Sequence, residues 1–431
     1  MKQQTRKGGG VATIVLLLLR TIYGLVQAAA SYWKECRAAF EFLKYKKSAD
    51  PSLYYRRNER GEMVIWMTWV DDYFVCGRKN QVEPAVSEME AVFDCDNIGE
   101  MNEYVGSQVK RDLEKKELKL LQPVILQSFT DEFGVKPGNV KTPAEARKVL
   151  VSEGKLLDKE KHGKYRAGVG KLMYYSQNSR PDIANAVREL SRHVQAPTED
   201  HYKAMERCME YCLNTPNRGY FIKPNREWDD TDPDFLFDIE GWSDSSYAEH
   251  PETRKSVSGN TVKLLGVPVV TKSSTQTGVK LSVTESELDG AVSCAQYMMF
   301  VYKILISLCL KVKLPMILYV DNTGVRELIN GWGISGRTRH IQVKELWLRE
   351  LRLAGLIKIV YIPGKLMCSD ALRKDRFSTC TYRFSWAKTS IGWITSNGIR
   401  SMWPAKQSRK RSRSHKASGR VIGMTFWLML L

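Results

Sequence analysis

The sequence predicts a mixed fold of the α+β and α/β classes, with three folded parts and a basic tail. The chain has 431 residues and 43% of them are hydrophobic, which is enough for two or three domains with buried cores. An apolar, aromatic run predicts a β-hairpin early in the chain, and a later βββαβααβα order predicts one mixed sheet with helices against it. The expected parts are residues 11–137, 138–234, 235–375 and 376–431.

The net charge of +18 indicates which classes of binding partner the protein has. A globular protein this basic usually binds a polyanion, with nucleic acid the first candidate and an anionic membrane surface the second. Six basic residues cluster within residues 406–416 of the tail. We expect disorder there, and the cluster fits non-specific nucleic-acid binding, nuclear import, or a solvated tail without a role.

Cysteine usage and the N-terminal segment indicate an intracellular protein that does not cross a membrane. Nine cysteines, an odd number, are spread thinly, as is typical of a reducing compartment. Cys208 and Cys212 share a helical face, where a packed helix is favoured over a zinc site. Residues 11–19 imitate a secretory signal, but a bilayer span needs about 20 residues. A secreted or membrane-associated protein stays an alternative.

Hydrophobic periodicity places the elements of the first two parts. Residues 11–60 are predicted to be helical after their apolar opening, because apolar residues within 32–43 recur at roughly helical spacing, and residues 50–51 predict a turn. Proline-containing breaks at 180–182 and 196–198 divide the later helices. The other predicted elements are a strand at 53–55, a hairpin at 63–77, a helix at 81–95, strands at 104–109 and 118–121, a helix at 125–133, a loop-rich segment at 135–163 and helices over 165–213.

The third part begins after a polar boundary at residues 223–234. Alternating apolar residues predict its strands, and a long apolar stretch predicts its central helix. The predicted strands are residues 235–244, 256–266, 268–275, 316–320 and 357–362, and the predicted helices are residues 284–309, 323–330, 343–354 and 368–374.

Two adjacent aspartates interrupt the apolar hairpin run at residues 63–77 (MVIWMTWVDDYFVCG). β-Branched and aromatic residues favour strands on both sides of Asp71 and Asp72. Carboxylates in such a run are costly unless a metal or another cation compensates them. Aspartate is also a common turn residue, so an ordinary exposed turn is the alternative.

Four acids of the third part fall at the ends of predicted elements: Asp244, Glu287, Asp321 and Asp370. If the first and fourth strands are neighbours, Asp244 and Asp321 lie side by side, and the two helix starts can direct the other acids to the same point. Four such carboxylates repel one another unless divalent cations neutralise them, and two Mg²⁺ ions about 4 Å apart would do so. The alternative is four unrelated surface acids.

Short motifs follow one another in a fixed order along residues 14–374. In the first two parts they are residues 21–33 (TIYGLVQAAASYW), 50–53 (DPSL), 69–72 (WVDD), 104–106 (YVG) and 165–182 (YRAGVGKLMYYSQNSRPD). In the third part they are residues 241–244 (GWSD), 254–259 (RKSVSG), 282–288 (SVTESEL), 319–322 (YVDN), 337–341 (RTRHI) and 368–372 (CSDAL).

In this order the motifs resemble the distal part of the Pol polyprotein of copia-type LTR retrotransposons. The family patterns are YGLKQAPRAW, SDPSLF, YVDD, YFLG and YRSLVGSLMYL…TRPD, followed by GYSDADWA, RKSTSG, SSTEAEY, CDN, RTKHI and LADILTK. The resemblance implies a partial reverse-transcriptase palm in residues 11–137, a helical connection or thumb-like region in residues 138–234, and an RNase H-like mixed-sheet domain in residues 235–375.

The resemblance also implies roles for the acids. Asp71 and Asp72 would bind the polymerase metals, and Gln27 would lie against the incoming nucleotide. The RNase H metals, Mg²⁺ or Mn²⁺, would be held by Asp244, Glu287, Asp321 and Asp370. Glu285 is the rival for the role of Glu287. The implied substrate is the RNA strand of an RNA–DNA hybrid, and His340 would either contact the hybrid backbone or cap a helix.

The sequence departs from the family pattern at the polymerase site. A reverse-transcriptase palm needs a third carboxylate from an earlier strand, whereas the first acid of this chain is Glu35. Trp69 replaces the usual tyrosine of the YVDD box, and Ala29 replaces the proline of YGLKQAP. We therefore expect impaired polymerase activity and a more complete RNase H site. The alternative is a catalytically dead remnant that only binds nucleic acid, and the expected location is a cytoplasmic particle or the nucleus.

Overall fold

A computed structural model of the chain describes most of the predicted elements. The described residues are 3–4, 15–16, 25–69, 72–104, 106–112, 114–145, 148–331, 342–373 and 400–401. The chain divides into two compact units, the first formed by Met1–Glu100 with Ser396–Arg413 and the second by Met101–Thr395 with Ser414–Leu431. The expected boundaries at residues 137 and 234 stay predictions, and the disorder expected for the tail concerns residues that lie, apart from 400–401, outside the described ones.

The first unit is built around the predicted hairpin. Strands β3, β4, β5 and β6 pair antiparallel in chain order, and Trp69 lies opposite Asp72 in the register of β5 and β6. The strand Arg400–Ser401 lies between β6 and β7. The elements are β1 Gln3–Gln4, β2 Val15–Leu16, α1 Ala28–Phe42, β3 Lys46–Lys47, β4 Leu53–Arg57, β5 Met63–Trp69, β6 Asp72–Cys76, α2 Lys79–Val92 and β7 Gly99–Glu100.

Both faces of β5 are buried, which explains its continuous apolar sequence. On one face Trp66 has no exposed surface and packs edge-on against Phe40 of α1. Phe40 in turn stacks on Tyr54 with ring centroids 4.1 Å apart. The buried side of α2, including Val82, joins the same core. The predicted hairpin, and its pairing with the preceding strand, are confirmed.

The second unit begins with a small sheet and a helical core. Strands β8, β9, β10 and β11 form one antiparallel sheet. Cys208 and Cys212 are free and buried in the helical core, as expected for a packed helix. The elements are β8 Glu103–Tyr104, β9 Ser107–Asp112, β10 Glu117–Leu121, α3 Pro123–Asp131, α4 Lys159–Asn178, a 3₁₀ turn Pro181–Ile183, α5 Ala184–Arg192, α6 Glu199–Leu213 and β11 Tyr220–Ile222.

The rest of the second unit is a mixed sheet of order β15-β14-β13-β17-β18. Strands β13, β14 and β15 pair antiparallel, whereas β13 pairs parallel with β17 and β17 pairs parallel with β18. The elements are β12 Leu236–Phe237, β13 Ile239–Ser245, β14 Lys255–Leu264, β15 Val267–Val279, α7 Val283–Ser307, β16 Lys311–Val312, β17 Met316–Val320, α8 Thr323–Asn330, α9 Gln342–Leu353, β18 Ile357–Tyr361, and 3₁₀ turns Gly364–Leu366 and Cys368–Leu372.

The predicted order is therefore confirmed up to its last strand, with β12 and β16 added as a two-residue parallel pair. The final predicted helix, residues 368–374, is instead the 3₁₀ turn Cys368–Leu372. The central adjacency, β13 beside β17, is the one on which the convergence of the acids depended.

Helix α7 is the only described helix long and apolar enough to cross a membrane by length and composition. Its buried side chains pack on the sheet, and the thiol of Cys294 lies 3.6 Å from the carbonyl oxygen of Trp242 in β13. A core helix of a mixed sheet has the same composition, so α7 is accounted for by this packing.

Candidate metal centre

The parallel pairing of β13 and β17 places two aspartates side by side. Ser243 of β13 lies opposite Val320 of β17, and each of these residues is followed directly by an aspartate. Asp244 lies within β13, opposite Gly259 of β14, and Asp321 directly follows the end of β17. Because parallel neighbours end at the same edge of a sheet, the two carboxylates come from adjacent strand ends.

Glu287 reaches the same point from the start of α7. Ser282 caps this helix by accepting a hydrogen bond from the Glu285 N–H at 3.1 Å. The Glu287 carboxylate accepts a hydrogen bond from the Ser245 N–H at 3.1 Å. Gly290 allows the close approach of α7, since a Cβ there would lie 2.4 Å from the Ser245 Oγ. The helix is thus held against the end of β13.

Three carboxylates converge at this point. Asp244, Glu287 and Asp321 each offer an oxygen, and these oxygens lie within 4.8 Å of one another. Asp244 and Glu287 are buried and Asp321 is partly exposed, so the group opens towards solvent on the side of Asp321. The Asp244 Oδ1 is buried and has no hydrogen-bond partner among the described residues.

Burial and mutual repulsion raise the pKa values of two acids of this group. Burial, together with the charge of Asp321, raises the pKa of Asp244 to about 7, although the Arg373 guanidinium opposes the shift. Burial, followed by the charges of Asp244 and Asp321, raises the pKa of Glu287 to about 9. A cation among these oxygens would remove the cost of the negative charges.

The donor set fits a hard divalent cation. All three ligands are carboxylates, which Mg²⁺ and Mn²⁺ prefer, and a buried carboxylate oxygen without a partner is costly unless an ion or water binds it. The residues present therefore suit the metal that the sequence implies.

Asp370 is not a member of this three-carboxylate group. It lies in the last 3₁₀ turn, and its Oδ1 accepts a hydrogen bond from the Arg373 Nη2 at 3.2 Å. Arg373 also donates from Nε to the Asp244 Oδ2 at 2.6 Å, so it links Asp370 to the centre. The rival acid Glu285 lies elsewhere, because its Oε2 accepts from the Leu281 N–H at 2.7 Å.

The predicted polymerase residues belong to the first unit. Asp72 begins β6 and is partly buried, and Gln27 is exposed at the residue before α1. Asp71 lies outside the described residues, as does His340. No group of acids, cysteines or histidines with metal-ligand spacing occurs among the described residues of this unit. Their assignment to a polymerase site stays a prediction.

Sequence reasoning missed Arg373. The sequence does contain a signal for this residue. Residues 368–374 (CSDALRK) align with the family pattern LADILTK, and Arg373 stands where that pattern has threonine. A charged residue at this position contacts two of the predicted metal ligands. The Ser245 N–H was also missed, since a backbone donor leaves no mark in the sequence.

No family model matches the chain. Known proteins nevertheless align with most of its length. The chain is 26% identical over 375 residues to the "Retrovirus-related Pol polyprotein from transposon RE1" of Arabidopsis thaliana, which covers 86% of this chain. It is also 26% identical over 383 residues to the corresponding polyprotein from transposon TNT 1-94 of Nicotiana tabacum, again over 86% of the chain.

Over most of its length the chain is a homologue of the retrovirus-related Pol polyproteins of copia-type transposons. This Pol chain spans about a quarter of the length of the first two relatives, 25% and 28% respectively. A stretch of 124 residues, 28% of the Pol chain, is 34% identical to "Secreted RxLR effector protein 161" of Plasmopara viticola and covers 80% of that protein. The resemblance inferred from the ordered motifs is confirmed at the level of the polyprotein family.

Proposed function

We propose that this Pol chain is an RNase H-type endonuclease that hydrolyses the RNA strand of an RNA–DNA hybrid with Mg²⁺ or Mn²⁺. The observation that carries the proposal is the convergence of Asp244, Glu287 and Asp321 at adjacent strand ends of a mixed sheet. Metal-dependent hydrolysis of a phosphodiester uses such a group, because it would hold divalent ions that supply charge stabilisation for the attacking and leaving oxygens.

Each of the three acids has a different proposed role in the centre. Asp244 supplies a fixed, buried ligand whose Oδ1 has no other described partner. Glu287 is oriented by the Ser245 N–H and by the packing of α7. Asp321 is partly exposed, so it lies on the side from which a phosphate of the substrate would approach. These positions support a centre with two preorganised ligands and one accessible ligand.

The nucleic-acid partner follows from charge and family. A net charge of +18 favours binding to a phosphate backbone, with a strong dependence on salt concentration. Similarity to the Pol polyproteins supports the same partner class. The RNA–DNA hybrid is the specific substrate that we propose, and a cytoplasmic particle or the nucleus is the proposed location.

A second candidate function is nucleic-acid binding without hydrolysis. The contact of Arg373 with Asp244 and Asp370 favours it, because a fixed cation occupies carboxylate oxygens that a metal would need. Asp71, Asp72 and Gln27 are the residues that an RNA-directed DNA polymerase activity of this family would use.

A hybrid-cleavage assay tests the proposal. Purified chain is incubated with an RNA–DNA hybrid labelled on the RNA strand, with Mg²⁺, with Mn²⁺ or with a chelator. Cleavage that requires the metal and is lost in Asp244→Asn and Asp321→Asn supports the proposed endonuclease. Metal-dependent cleavage that persists in both variants contradicts it. Salt-dependent binding without any cleavage favours the second candidate.

A further inference from the structure

Arg373 lies between two acids of the proposed centre. Its Nε donates to the Asp244 Oδ2 at 2.6 Å, and its Nη2 donates to the Asp370 Oδ1 at 3.2 Å. Its own backbone N–H donates to the Asp370 carbonyl oxygen at 3.2 Å, at the end of the 3₁₀ turn Cys368–Leu372. Both ends of the residue are therefore tied to Asp370, while the guanidinium reaches the central aspartate.

The three side chains of this bridge are largely shielded from solvent. The exposed fractions are 11% for Arg373, 1% for Asp244 and 14% for Asp370. Charge-assisted hydrogen bonds are stronger than neutral ones, and weak screening by solvent keeps the attraction strong at a buried position. A guanidinium also stays charged at every accessible pH, so this positive charge cannot be removed by losing a proton.

The bridge competes with a metal for the same oxygens. Mg²⁺ requires oxygen ligands at about 2.0–2.1 Å in near-octahedral geometry. The Nε of Arg373 already occupies the Asp244 Oδ2, and its Nη2 occupies the Asp370 Oδ1. An ion shared by Asp244 and Asp370 would have to displace the guanidinium. The Asp244 Oδ1 has no such partner among the described residues and stays accessible to an ion beside Glu287 and Asp321.

We propose that Arg373 is an internal cation that replaces one of two divalent ions and keeps this centre in a one-metal state. The proposal rests on the proposed function, because it assumes that Asp244, Glu287 and Asp321 bind metal. The ion held by these three acids binds without displacing Arg373. The second ion, between Asp244 and Asp370, binds only when Arg373 is removed or moved away, so Arg373 limits the activity of the chain.

The proposal is tested by counting bound ions. Isothermal titration with Mn²⁺, in the absence of nucleic acid, gives the number of sites and their affinities for the intact chain. The expected result is one Mn²⁺ for the natural chain and two for Arg373→Thr, with the second site strengthened by about tenfold or more when the competing charge is gone. Arg373→Lys keeps a positive charge and is expected to bind one.

Control variants separate the failure of this inference from the failure of the centre. Asp370→Asn in the Arg373→Thr background should remove the second ion and retain the first. Asp244→Asn should abolish both, and Mn²⁺ binding unchanged by Asp244→Asn would refute the centre itself. Equal stoichiometry and affinity in the natural chain and Arg373→Thr, together with loss in Asp244→Asn, would refute only the role of Arg373.

A folding control keeps the test decisive if Arg373→Thr is poorly folded. Arg373→Gln is shorter but keeps a polar side chain, with an amide donor and an acceptor oxygen, and it carries no charge, so it should also bind two ions. Thermal unfolding of each variant is measured with and without Mn²⁺. A second ion in at least one of the two neutral variants supports the proposal, whereas one ion in every folded neutral variant overturns it.

Discussion

The carboxylate of Glu287 accepts a hydrogen bond from the Ser245 N–H at 3.1 Å. This bond joins the second turn of α7 to the end of β13, one residue beyond Asp244. The packing of α7 on the sheet therefore fixes the position of the Glu287 carboxylate. Changes to the helix start, to the neighbouring turn or to protonation should each alter metal binding in a defined direction.

The two glutamates of the first turns of α7 should differ in effect. Glu287→Gln removes a charged member of the three-carboxylate group and is expected to lower hybrid cleavage by at least about 100-fold. Glu285→Gln is the matched control, because its carboxylate accepts from the Leu281 N–H rather than joining the group. Rates are compared in the hybrid-cleavage assay, and an equal loss in both variants would contradict the assignment of Glu287.

A substitution in β14 should move the turn that carries Asp370. A Cβ at Gly259 would lie 2.6 Å from the Ser369 carbonyl oxygen, a backbone atom that no rotamer change can relieve. Gly259→Ala is therefore expected to destabilise the second unit by about 1–3 kcal/mol in denaturant unfolding. Gly278→Ala is the control, since nothing lies within 4 Å of its added Cβ. Similar unfolding midpoints for both variants would argue against this close contact.

The metal-free chain should lose stability as the pH rises. The pKa of Asp244 is raised to about 7 and that of Glu287 to about 9, so the folded state keeps protons that the unfolded state releases. The stabilisation is complete below about pH 4 and is lost between about pH 4 and pH 9. Thermal unfolding in a chelator should show this fall on top of the titration of other groups.

The same protons compete with a bound cation. Because the carboxylates must be deprotonated to bind metal, the rise in unfolding temperature caused by Mn²⁺ should increase from pH 6 to about pH 9. Asp244→Asn combined with Glu287→Gln should remove this pH dependence. A rise that is constant across the range, or that persists in the double variant, would show that other residues bind the ion.

An ion pair with a buried arginine should contribute to the stability of the helical core. Arg180 has no exposed surface and donates to Asp182 at 2.8 Å. Arg180→Met leaves the Asp182 carboxylate without its main partner, and a cost of about 3–5 kcal/mol is expected in denaturant unfolding. Lys161→Met, which breaks an exposed pair with Glu199, should change stability little. Comparable losses in the two variants would contradict this ranking.

Much of the fold was predictable because its signals are local. The hairpin β5–β6 follows from a run of aromatic and β-branched residues, and the breaks between helices follow from Pro181 and Pro197. The order of strands and helices in the mixed sheet follows from periodicities of two and 3.6 residues. The ordered motifs were enough to identify the polyprotein family.

The sequence by itself determined the elements, the family and the four candidate acids of the third part. Only the tertiary structure decided that Asp244, Glu287 and Asp321 converge and that Asp370 is held by Arg373. Convergence depends on the parallel pairing of β13 with β17, which joins residues far apart in the chain and leaves no local periodicity. The position of Arg373 depends on which charges a buried turn brings within hydrogen-bonding distance.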